Sequence, residues 1–146
     1  MIHNKKNCLL YLPANHTDTV IKNIKTVNLD TFNIINIEPS SIDGYRKKYN
    51  RIFFLFQLGT PKEFDLFEKQ KNLFLNSGKT SLIVIIPFNF EKEVNTKKAY
   101  ELTAKMQKYF LSVAIFDLSQ RLTNPNITLN EFYNRLLDDF TKHLNI

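Results

Sequence analysis

The chain has 146 residues, a single cysteine and a formal net charge of +6. That length suits one domain, residues 1–146, with a core of its own, and one cysteine excludes an intrachain disulfide. The positive charge comes with no aromatic-basic RNA motif and no zinc-ligand spacing, so a nucleic acid is not the expected partner and a metal is not the expected cofactor.

Hydrophobic residues make up 43% of the chain and charged residues 23%, as in a folded soluble protein. Thirteen Phe and six Tyr point to a core built largely from aromatics. The stretch from Met1 to Lys6 leads into only a handful of apolar residues, too few for a signal peptide or a membrane span, so a cytoplasmic location is expected. Basic residues cluster at Lys5 and Lys6, at Arg46, Lys47 and Lys48, and at Lys97 and Lys98. Such clusters are most often solvated faces. The sharper reading is an acidic protein surface or a phosphate-rich partner.

Five short apolar runs follow in order: Cys8–Leu12, Phe32–Ile37, Ile52–Leu58, Leu82–Pro87 and Ser112–Phe116. They are nearly continuous in apolar residues, which is how strands buried on both faces read. Cys8 lies in the first and reads as a small core residue rather than a nucleophile. Between the runs lie expected helices at Thr17–Val27, Ser41–Tyr49, Pro61–Asn76, Asn95–Phe110 and Thr128–Leu144. The alternation predicts an α/β fold: a three-layer, doubly wound sandwich around a five-stranded, mostly parallel sheet.

Local signals mark several helix ends. Ser40 or Ser41 suits the N-cap of the second helix. Thr60, Pro61 and Glu63 spell a capping box with proline at the first helical position. Gly78 suits a left-handed C-terminal stop. In the last helix Leu129, Phe132, Tyr133, Leu136, Leu137, Phe140 and Leu144 fall on one arc, and Asn130, Glu131, Asn134, Arg135, Asp138 and Lys142 on the other. This helix is expected to bury one side only.

Other chemistry has weak support. His3, His16 and His143 have no ligand spacing, and no Ser or Cys nucleophile has a matched base. Asp18, Asp43 and Asp117 are the candidates for a receiver-type acidic pocket, and Asn15, His16 and Thr17 for a flavin loop. The segment Pro87-Phe88-Asn89-Phe90-Glu91 has a structural reading too: proline ends a strand and two phenylalanines pack under the following helix.

In context, that segment and the strand before it resemble the FtsZ/tubulin family of filament-forming GTPases. Arg51–Thr60 resembles the family's strand and glycine-rich phosphate loop, Gln120 to Leu122 its Asn-Asp-Arg-Leu loop, and Leu129–Phe132 the start of its central helix. More loosely, Cys8–Leu12, Thr19–Ile24 and Phe32–Ile37 are similar to its first strand, first helix and second strand. The residues from Pro39 to Asn50 replace a much longer family stretch that holds an edge strand, so the resemblance implies a sheet order of 2-1-3-4-5. The family's second domain has no counterpart.

The departures imply lost chemistry. The first turn, Leu12–His16, has no glycine. The phosphate loop keeps only Gly59 and Thr60, with Thr60 expected to cap the helix and Glu63 to repel phosphate. Ser119 and Gln120 stand for the Asn-Asp pair, and Leu136 or Leu137 for a guanine contact. Gly59, Thr60, Asn89 and Glu91 are the nucleotide-site remnant, Glu91 as a relic of a ribose contact, and neither GTP nor GDP is an expected cofactor. The resemblance implies a degenerate, non-catalytic domain that binds a protein, with an FtsZ-family filament or a second copy as partner. Arg46, Lys47 and Lys48 and the loop Asn89–Asn95 are the candidate contact surfaces. The alternatives are a small flavodoxin-like regulatory or ligand-binding domain, with its site at the strand C-termini, or an unusual GTP-binding protein.

Overall fold

A computed structural model of the chain describes residues 7–11, 32–36, 51–70 and 80–144. Among the described residues there are five strands: β1 (Asn7–Tyr11), β2 (Phe32–Asn36), β3 (Ile52–Gln57), β4 (Thr80–Ile86) and β5 (Ser112–Asp117). Their backbone ladders run in the order β2-β1-β3-β4-β5, and each pairing is parallel. The α-helices among the described residues are α1 (Pro61–Gln70), α2 (Thr96–Met106), a short α3 (Leu118–Arg121) and α4 (Leu129–Leu144). The chain is therefore an α/β protein built on a parallel sheet.

Side-chain alternation along β3 and β4 explains why their sequences are apolar throughout. Ile52, Phe54 and Phe56, with Leu82, Val84 and Ile86, point to one face. There they pack with Phe64 and Phe67 of α1 and Ala99 and Met106 of α2. Phe53, Leu55, Ile83 and Ile85 point to the other face, against Phe132, Leu136 and Phe140 of α4. Every residue of β3 and β4 is buried. Two apolar layers on one strand leave no place for an alternating pattern. At the opening of the sheet, Ser81 and Ser112 stand in register, and the Ser112 hydroxyl donates to Ser81 Oγ at 2.8 Å.

The amphipathic reading of α4 holds in its middle and changes at its start. Phe132, Leu136 and Phe140 are buried, Tyr133 and Leu137 are half-buried, and the opposite arc is exposed. Leu129 is 64% exposed, so the apolar arc is not buried at the first turn. The β5–α4 connection also holds a helix that the hydrophobic pattern did not reveal, α3, which is only four residues long.

The expected helices at Thr17–Val27 and Ser41–Tyr49, the caps at Ser40 or Ser41, the stop at Gly78 and the burial of Cys8 lie outside the described residues or side chains. So do the basic segment Arg46 to Lys48, Asp18 and Asp43 of the acidic pocket, and the flavin-loop residues Asn15, His16 and Thr17. Among the described residues, no helix is long and apolar enough to cross a membrane.

Candidate functional site

In a parallel sheet the turns after the strands converge at one edge, and ligands of such folds sit there. Three described turns meet at this edge: β3 to α1, β4 to α2 and β5 to α3. Each is tied down by a side-chain cap of the helix it enters.

At α1 the capping box forms in both directions. The Thr60 amide donates to Glu63 Oε1 at 2.9 Å, and the Glu63 amide donates to Thr60 Oγ1 at 3.4 Å. The Phe64 amide donates to the Thr60 carbonyl at 3.0 Å, and Pro61 has no N–H to give. Of the amides from Thr60 to Phe64, this leaves Lys62. A phosphate cradle needs several amides converging on an anion. Here they are engaged internally, and the Glu63 carboxylate is buried among them at 1% exposure.

Gly59 has a packing explanation. A Cβ at this position would lie 2.8 Å from Pro87 Cδ and 3.1 Å from Pro87 Cγ, on a ring that cannot swing aside. Its carbonyl accepts the Asn95 amide at 2.7 Å. The glycine therefore lets the β3–α1 turn press against the β4–α2 turn, and its φ is not positive.

The β4–α2 loop spans Pro87 to Asn95. The Asn89 amide donates to Ser119 Oγ at 2.7 Å, and Asn95 Oδ1 accepts the Lys98 amide at 3.0 Å to cap α2. Glu91 is exposed, and its amide donates to the Phe88 carbonyl. Glu93 has φ 68°, a left-handed conformation uncommon for a residue with a side chain. The two phenylalanines do not both pack under α2. Phe88 is buried against Phe132 of α4, at 5.3 Å between centroids, and Phe90 stacks on the outer side of Phe88 at 5.0 Å and is 73% exposed. The expectation fails because the loop turns toward α4 and leaves Phe90 no further wall.

At β5, Asp117 is 5% exposed and accepts three bonds. Its Oδ1 takes the Ser119 amide at 3.0 Å and the Gln120 amide at 3.4 Å, capping α3. Its Oδ2 takes the Tyr100 hydroxyl at 2.6 Å. Burial first, then the bond and charge of Asp117, push the Tyr100 pKa up from 10.0 to about 12, so this phenol is a fixed donor rather than a base. Asp117 is thus committed to capping and to Tyr100, which is not the state a receiver-type acidic pocket would need.

The structure brings Gly59 against Pro87 and Asn95, engages Thr60 with Glu63 in the cap of α1, and ties Asn89 to Ser119; Glu91 stands on the exposed rim. The sequence reading missed Tyr100 and the structural roles of Asp117 and Ser119. Aspartate just before a short helix was the available signal for the cap. Among the described residues, no group of His, Cys, Asp and Glu is arranged to hold a metal. On α4, His143 lies edge-on to the Phe116 ring, and burial, with the nearby Arg51 charge, lowers its pKa.

No family model matches the chain, and no curated protein sequence matches it.

Proposed function

We propose that the chain is a degenerate FtsZ-like domain that has lost GTP binding and hydrolysis. It acts as a protein-binding or regulatory module in cell division or cytoskeletal filament assembly. In this reading the whole chain completes a three-layer doubly wound sandwich on the five-stranded sheet. Function taken from fold likeness is analogy. The observation that carries the loss of nucleotide is the reciprocal Thr60–Glu63 capping box, which occupies the amides at the head of α1. Gly59 supports it, since packing against Pro87 accounts for that glycine without a phosphate.

Phe90 supports the binding half of the reading. An exposed phenyl ring on a loop tied to Ser119 at one end and Gly59 at the other is a preorganised contact, since little freedom is lost on docking. Co-sedimentation with polymerised FtsZ tests it: the chain pellets with filaments, and Phe90→Ser stays in the supernatant. Equal pelleting of both proteins would remove Phe90 from the surface, and no pelleting of either would remove this partner. Thermal melting tests the nucleotide half. A ligand at a hundredfold excess over its Kd stabilises by about 2.7 kcal/mol, so millimolar GTP with Mg2+ leaves the melting temperature unchanged only if micromolar binding is lost.

A further inference from the structure

We infer that a cavity of about 120 Å³ between the α3–α4 connection and α4 binds a small aliphatic carboxylate. It lies apart from the turns at the head of α1, and its lining differs from theirs in charge and in available donors.

Two guanidiniums and one carboxylate line it: Arg121, Arg135 and Asp139. Arg121 is held in place from two sides. Its Nη1 contacts Asp139 Oδ2 at 2.6 Å, and its guanidinium lies 4.7 Å from the centroid of the Phe116 ring. Arg135 makes no ion pair among the described residues. The formal charge of the lining is therefore +1, which a monoanion neutralises and a dianion overshoots. A planar carboxylate also matches the fork of a guanidinium.

The rest of the wall selects further. Asn124 Oδ1 accepts the Asn126 amide at 3.0 Å, and the Asn124 carbonyl accepts the Ile127 amide at 3.2 Å. These bonds fix the loop and leave the Asn124 side-chain NH2 as a donor to a ligand. Ile127, Phe132 and Leu136 supply the apolar part of the lining. Inorganic phosphate has nothing to place against these three residues, whereas a branched aliphatic acid has. The volume is well below the roughly 300 Å³ at which sites for drug-sized ligands begin, so a nucleotide does not fit.

NMR titration of the intact, isotopically labelled chain tests the site, with the backbone amides of Thr123, Asn124 and Ile127 as reporters. The probes are sodium isobutyrate, isobutyramide and inorganic phosphate at constant ionic strength. Isobutyrate is expected to shift these amides saturably in the millimolar range, isobutyramide not at all, and phosphate more weakly than isobutyrate. Arg135→Gln removes a charge-assisted contact and weakens isobutyrate roughly tenfold. Asp139→Asn removes the internal competitor and tightens it several-fold. Arg135 and Asp139 are partly or largely exposed, so both variants retain the fold. Equal response to isobutyramide, a preference for phosphate, or Kd changes of the same sign in the two variants would overturn the assignment.

Discussion

The head of α1 and the cavity beside α4 present opposite faces to an anion. At α1 the amides of Thr60, Glu63 and Phe64 donate within the turn, Pro61 has none, and the Glu63 carboxylate fills the space. Beside α4, Arg121 and Arg135 share one cavity with a single carboxylate. A helix N-terminus attracts anions only while its amides are unspent. The difference therefore lies in local groups, spent amides and a carboxylate at α1 against two guanidiniums beside α4, since both regions belong to the same net-positive chain.

The largest expected effect comes from the support under the α4 side. Phe132 is 4% exposed and packs on Phe88, so Phe132→Ala is expected to cost about 3–5 kcal/mol in denaturant unfolding. A loss below 1 kcal/mol would mean that α4 does not anchor this layer. Gly59→Ala comes next and probes the α1 side. The added methyl meets the Pro87 ring, and overpacking of this kind costs about 1–3 kcal/mol. If the glycine instead served a ligand, alanine would leave stability unchanged.

Thr60→Ala removes one half of the capping box, at about 0.5–2 kcal/mol. Glutamine at residue 63 can keep the reciprocal bond, so Glu63→Gln separates geometry from charge. A Glu63→Gln protein clearly more stable than the parent would show that the buried carboxylate is a burden retained for a purpose, and would break the comparison. The smallest effect is expected from Tyr100→Phe, which deletes the bond to Asp117 for about 0.5–1.5 kcal/mol. Its signature lies in pH. The Tyr100 pKa is about 12 in the fold against 10.0 unperturbed. The folded state thus holds the proton more tightly, and its contribution is complete below pH 10 and lost as pH rises toward 12. The phenylalanine variant lacks that slope, as denaturant titrations across this window would reveal.

What the sequence disclosed follows the range of each interaction. The partners of the Thr60–Glu63 box are three residues apart and were readable as a local motif, as were the strands buried on both faces. The middle of α4 was readable from its periodicity. Asp117 and Tyr100 are 17 residues apart and Arg121 and Asp139 are 18 apart, so only the packing of whole elements brings them together. The segment from Pro87 to Glu91 suggested two buried phenylalanines, but residue type alone does not say which way a loop turns, and Phe90 faces solvent. Gly59 stood out in the sequence as a loop glycine, and its reason, the Pro87 ring, lies in another strand's turn.

The most direct test is a titration of the intact chain into fluorescently labelled GTP with Mg2+, followed by anisotropy. The capped α1 turn predicts no saturable change through the micromolar range. Saturable binding with a micromolar Kd, competed by unlabelled GTP, would contradict the proposed absence of GTP binding.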